Sequence, residues 1–176
     1  MYSVPAWAPT TGELGKVEWN EWFKKNPYAE WYLNTLRIEG SPTYEHHIRT
    51  YGKNFDYYDF SRTFDQSVQK WDPNTWAALF KSVGARYVVL TTKHHDGFTL
   101  WPSRVANPKR PERRLSSSRD LAGDLAAAVR GHGMKMGLYY SGGLDWTFTQ
   151  DPITSRDDLQ RMVPQSEDFV LLRLGD

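Results

Sequence analysis

The sequence predicts an α/β chain built on a parallel sheet, and part of such a sheet rather than the whole. Three observations predict it. Tyr87-Val88-Val89-Leu90-Thr91-Thr92 is a near-continuous, β-branched apolar run, as strands buried on both faces of a parallel sheet show. From Asp72 to Ser141 the patterns alternate as helix, strand, helix, strand, which contains a βαβ unit with an expected right-handed crossover. Two strands cannot close a sheet. A complete (β/α)8 barrel takes about 250 residues, so the remaining strands are expected outside these 176 residues.

Each element has a local cause. The first 40 residues are rich in Trp, Gly and Pro without a sustained period, and Pro5, Pro9, Gly12 and Gly15 punctuate a long loop. Ser41-Pro42 opens a helix, the serine as cap and the proline where its missing N–H costs nothing; it runs to Tyr51 and stops at Gly52. Phe55 to Lys70 reads as short, broken helix. Asp72-Pro73 starts the next helix, on which Trp76, Leu79, Phe80 and Val83 form one apolar stripe before Gly84 ends it. After the strand at 87–92 comes a basic loop from Trp101 to Ser118, whose arginines and lysine read as solvated surface ahead of a phosphate patch. A helix from about Asp120 to His132 carries Leu121, Leu125, Ala128 and Val129 on one face, and Lys135 to Ser141 is the second strand.

Composition narrows the function. Lys and Arg number 22 against 21 Asp and Glu, so no chain-wide charge favours nucleic acid or an anionic membrane. The absence of cysteine excludes a disulfide scaffold, a thiolate metal site and a cysteine nucleophile. No run approaches the roughly 18 apolar residues of a membrane span, and the first residues lack a signal-peptide pattern, so the chain as written is expected to be soluble and unprocessed. Eight Trp, ten Tyr and eight Phe accompany a mean hydropathy of −0.68. Such rings suit cores, and they also stack on the C–H faces of sugars.

In parallel α/β folds ligands gather at the carboxyl ends of strands. Here those ends read Thr91-Thr92-Lys93-His94-His95-Asp96-Gly97-Phe98 and Tyr139-Tyr140-Ser141-Gly142-Gly143-Leu144-Asp145-Trp146. Adjacent His94 and His95 leave an extended chain on opposite faces unless the strand has already ended. They can serve as neutral hydrogen-bonding groups, as metal ligands with Asp96, or as structural histidines; metal is the weakest of the three, because ligands on one strand more often alternate. His46 and His47 sit in a helix and read as structural. Asp96, Asp145 and Glu30 are the carboxylates placed for acid–base work on a glycosidic bond, and spacing selects no pair among them.

Tyr28-Ala29-Glu30-Trp31-Tyr32, the run from Tyr87 to Phe98, Gly137-Leu138-Tyr139-Tyr140-Ser141 and Leu144-Asp145-Trp146 together resemble the α-L-fucosidases of glycoside hydrolase family 29. Tyr2 to Pro9 is similar to the segment after that family's first barrel strand, and the match is collinear from Tyr2 to about Phe169. The resemblance implies a retaining, metal-free and cofactor-free hydrolase of terminal α-L-fucosidic bonds on a partial (β/α)8 barrel, missing the first strand and the later ones. Its substrate would be a fucosylated glycan or glycoside. His94 and His95 match the family's fucose-binding histidine pair, Tyr139 a tyrosine of the same pocket, and Glu30 and Trp31 a loop pair that closes over the sugar. The family's first strand ends in an Ile-His-Trp-Gly type motif, its nucleophile lies in a later Trp-x-Asp type motif, and its acid/base glutamate lies further on. None of the three is found here, and residues 165–176 depart from the family pattern as a shifted reading frame would make them. No catalytic residue is therefore assigned. The chain alone is expected to be inactive unless a second polypeptide supplies the rest of the barrel; the alternative is a non-catalytic fucose-binding fragment or a decayed remnant.

Overall fold

A computed structural model of the chain describes residues 18–148 and 150–162. The segment Tyr2 to Pro9, the loop glycines and prolines before residue 18 and the divergent tail lie outside the described residues. Among the described residues, seven helices and two strands follow in chain order: α1 Trp19–Lys24, α2 Tyr32–Leu36, α3 Pro42–Tyr51, α4 Phe60–Val68, α5 Pro73–Ser82, β1 Tyr87–Lys93, α6 Leu121–Gly131, β2 Lys135–Tyr140 and α7 Arg156–Met162. Short 3-10 turns at Ala29–Trp31 and Tyr57–Asp59 lead into α2 and α4.

The caps form as their residue types dictate. Ser41 Oγ accepts from Tyr44 N, and the Asp72 carboxylate accepts from Asn74 N and Thr75 N; Asp120 accepts from Gly123 N. Each satisfies a donor left over in the first helical turn. Phe55 to Lys70 is broken as expected, into the 3-10 turn and α4. The short helices α1 and α2 stand where the sequence shows no period.

β1 and β2 pair in parallel, with Val88 opposite Met136, Leu90 opposite Leu138 and Thr91 opposite Tyr139, and the register shifts between Thr91 and Lys93. On one face, Val88, Leu90 and Met136 pack with Ala77 of α5 and Leu125, Ala128 and Val129 of α6. The other face differs from the expectation of a strand buried on both sides: Tyr87 is 68% and Val89 54% exposed. Among the described residues nothing covers that face, so the apolar run meets only one layer of helices.

The apolar stripe on α5 is covered only in part: Phe80 packs against the helix-side core. Leu79 and Val83 are exposed, at 59% and 75%, while Ala77 is fully buried against α6. A small residue at the helix–helix contact lets the two helices approach closely, and it carries no weight in a pattern read from large apolar residues.

A second core gathers Phe23, Tyr32, Tyr57, Tyr58, Phe60, Phe98 and Trp146 beside the carboxyl end of β1. Asn34 ties the distant 153 region to it, donating to Ile153 O at 3.0 Å and accepting from Ile153 N at 2.7 Å.

Candidate functional site

β1 ends at Lys93, so His94 and His95 lie beyond the strand and escape its alternation. A tight turn follows, in which Gly97 N donates to His94 O at 3.1 Å and Gly97 takes a φ of 74°. The two imidazole centroids consequently sit 4.1 Å apart. The His94 ring lies 6.0 Å from Tyr139 at the end of β2, and Thr91, on the same side, pairs with Tyr139.

The 3-10 turn Ala29–Trp31 delivers the other two predicted residues. Trp31 lies 6.1 Å from His95 and 5.2 Å from Trp146, and His95 lies 5.3 Å from Trp146. The Trp146 indole Nε1 donates to Glu30 O at 3.1 Å, and Trp146 N donates to His95 O at 2.6 Å. A mostly apolar cleft of about 760 Å³ runs beside β1, with Phe64, Trp71 and Trp76 along it and Glu30, Thr91 and His94 among its polar lining.

Burial sets the charge state of the site. The His95 pKa is pushed down to about 4, chiefly by burial with a smaller push from His94, against the bond to the Leu144 carbonyl. Burial also lowers His94, and Glu30 pulls it the other way. Both rings are therefore neutral near pH 7. His95 Nδ1 lies 3.3 Å from the Leu144 carbonyl and 3.2 Å from Ser141 Oγ. A carbonyl only accepts, so Nδ1 carries the ring proton and Nε2 is left as an acceptor. His94 Nδ1 is buried with no hydrogen-bond partner among the described residues.

The remaining carboxylates are engaged. Asp145 Oδ2 lies 2.6 Å from Lys93 Nζ, with both side chains buried. Asp96 accepts from Tyr57 Oη at 3.2 Å and from Phe98 N, and burial raises its pKa. No group of three His, Asp or Glu side chains that could hold a metal ion occurs among the described residues.

All five residues singled out in the sequence are thus drawn to the carboxyl ends of the two strands: His94, His95 and Tyr139 directly, Glu30 and Trp31 through the 3-10 turn. His47 is buried in a structural role, its Nε2 2.9 Å from Phe55 O and its Nδ1 3.0 Å from Tyr32 Oη. The basic loop is partly neutralised, Arg113 lying near Asp56 and Asp59 and Arg114 pairing with Asp65. In the sequence Trp146 stands out only as a neighbour of the second strand end, and Arg37, which donates to Trp146 O at 2.9 Å, does not stand out at all. The signal for Trp146 was its place just past a strand; nothing local marks Arg37.

Residues 1–171 match the family model for alpha-L-fucosidase. The chain is 39% identical over 142 residues to an alpha-L-fucosidase of Dictyostelium discoideum, covering 80% of this chain and 27% of the relative. It is 39% identical over 150 residues to the human tissue alpha-L-fucosidase, covering 83% and 26%. Among solved structures, one alpha-L-fucosidase superposes with a TM-score of 0.81 at 49% identity, over 98% of this chain and 40% of that one. The Thermotoga maritima alpha-fucosidase in complex with fucose gives 0.78 at 48% identity, over 94% and 36%. The chain spans about a quarter of the length of the curated relatives it matches.

Proposed function

This chain belongs to the alpha-L-fucosidase family, and from that premise we propose that His94, His95, Tyr139, Glu30 and Trp31 form the fucose-binding part of a retaining α-L-fucosidase. The observation that carries the reading is His94 Nδ1, a buried polar atom without a partner beside a neutral imidazole and a tyrosine. An orphaned buried group is costly unless something bonds it, and a sugar hydroxyl can donate to it or accept from it. His95 Nε2 offers an acceptor, the Glu30 carboxylate a second, and the Trp31 ring an apolar wall for the fucose methyl side. Hydrogen bonds to the hydroxyl beside the reacting carbon strengthen in an oxocarbenium-like transition state.

Retention requires two carboxyl groups about 5–5.5 Å apart, one of them a free nucleophile. Asp145 is held by Lys93 and Asp96 by Tyr57, so neither is offered here as that nucleophile. The 176 residues alone bind and orient the sugar and do not turn it over. The two-stranded unit is read as a sector of a (β/α)8 barrel, and the uncovered Tyr87 and Val89 favour a further polypeptide segment, in this chain's longer form or in a second chain, that completes it.

The test is calorimetric titration of the purified chain with L-fucose, alongside hydrolysis of an aryl α-L-fucoside. Saturable binding that His94→Ala abolishes, with no hydrolysis, is the expected result. A flat titration would sink the binding role, and hydrolysis lost in His94→Ala would sink the division of labour.

A further inference from the structure

We infer that Trp146 is a positioning residue that sets the geometry between the Glu30–Trp31 turn and the His94–His95 strand end. It is only 1% exposed and is among the largest fully buried side chains. Three hydrogen bonds fix it to three separate stretches of chain. Its backbone N donates to His95 O at 2.6 Å, its indole Nε1 donates to Glu30 O at 3.1 Å, and its carbonyl accepts from Arg37 Nη2 at 2.9 Å. Its ring completes a triangle with Trp31 and His95.

The bonds to Glu30 and Arg37 span 116 and 109 positions of sequence, so local structure cannot supply them. The turn is a single 3-10 turn without a side-chain cap, and such a segment has little rigidity of its own. Trp146, by contrast, follows Asp145, which Lys93 and Thr147 hold from both sides. A rigid strand end thus extends through one indole to a soft turn. Arg37, just past the end of α2, braces the same peptide from behind. As sugar-site geometry the inference rests on the proposed function; as a link between two segments it stands on these contacts alone.

The test compares Trp146→Phe, Arg37→Met and Arg37→Lys in the 176-residue chain, with Val129→Ala in the helix-side core as a stability control. The readouts are the nuclear Overhauser contact between the Trp31 and His95 rings, affinity for L-fucose, and thermal midpoint. Trp146→Phe, which deletes only the indole donor and one ring, is expected to weaken the ring contact and lower affinity about tenfold, the scale of one lost buried hydrogen bond. Arg37→Met acts in the same direction and Arg37→Lys restores part of the loss, whereas Val129→Ala lowers the midpoint and leaves both site readouts unchanged. A Trp146→Phe chain that melts lower yet keeps the Trp31–His95 contact overturns the inference. If Trp146→Phe fails to fold, the two Arg37 variants decide, and equal site readouts in both overturn it. If the unsubstituted chain binds no fucose, the proposed function fails while the ring contact still decides the positioning role.

Discussion

Lys93 Nζ and Asp145 Oδ2 lie 2.6 Å apart in a space closed to solvent, and the pair joins the last residue of β1 to the loop that follows β2. The lysine also donates to Ser141 O at 2.8 Å and lies 5.1 Å from the Tyr140 ring, while Asp145 accepts from Thr147 N at 2.9 Å. Removing one partner leaves the other charge buried and uncompensated, which typically costs about 3–5 kcal/mol. Urea denaturation of Lys93→Met and of Asp145→Asn should show losses on that scale. A Lys93→Met/Asp145→Asn double variant should lose less than the sum of the two single losses, because no charge is stranded. Strictly additive losses would mean that the pair is not coupled.

Gly97 turns the chain between the histidines and Phe98, and it approaches the same network. Its φ of 74° is left-handed, and a Cβ there would meet Thr147 Cγ2 at 2.5 Å and Asp145 Oδ1 at 3.0 Å. Gly97→Ala therefore combines a backbone cost of about 1–2 kcal/mol with a push on Asp145. Gly133 shares the positive φ with nothing near its Cβ position. Gly133→Ala should cost only the backbone part, so the thermal midpoint should fall further in Gly97→Ala than in Gly133→Ala. Equal falls would show that the contact with Asp145 and Thr147 relaxes freely.

Much of this layout was legible because it rests on local chemistry. Asp72-Pro73 and Ser41-Pro42 start helices where capping predicts, and the β-branched run at 87–92 becomes β1. The two strand ends marked where the candidate site lies, since the parallel pairing brings His94 and Tyr139 to the same end of the sheet. What stayed hidden depends on tertiary partners. Arg37 bears on the site only through a carbonyl 109 positions away, and no periodicity encodes such a contact. The α5 stripe misled for a similar reason. Apolar spacing shows which face of a helix is greasy, but only the neighbouring helix decides which face is covered.

That difference on α5 can be measured. Ala77 is fully buried at the contact with α6, so Ala77→Leu overpacks it and should cost about 1–3 kcal/mol. Leu79 is largely exposed, so Leu79→Ala should stay within about 0.5 kcal/mol. Chemical denaturation of the two variants of the 176-residue chain decides between the faces. A large loss in Leu79→Ala with a tolerated Ala77→Leu would restore the stripe as the buried face.

The neutral histidine pair gives the chain a pH dependence whose sign is fixed. The His95 pKa is pushed from its ordinary 6.5 down to about 4 in the folded chain, first by burial and then by His94. Between those values the unfolded chain binds a proton that the folded chain refuses, so stability falls as pH drops. The contribution of neutral His95 is fully present above about pH 6.5 and is lost progressively toward pH 4. His94, lowered by burial, acts in the same direction. Asp96 acts in the opposite one, because burial raises its pKa and the folded chain takes up its proton first. A plain pH–stability curve mixes all three, but the difference between the unsubstituted chain and His95→Gln isolates His95. That difference should be constant above pH 6.5 and shift steadily below it, with His95→Gln the less acid-sensitive. Saturable L-fucose binding to the folded chain should persist through most of that interval and weaken only as pH falls to about 4, since an imidazolium has no acceptor nitrogen left for a sugar hydroxyl. Parallel stability curves for the two chains would show that His95 is solvated in the fold, and the acceptor role assigned to its Nε2 would fall with it.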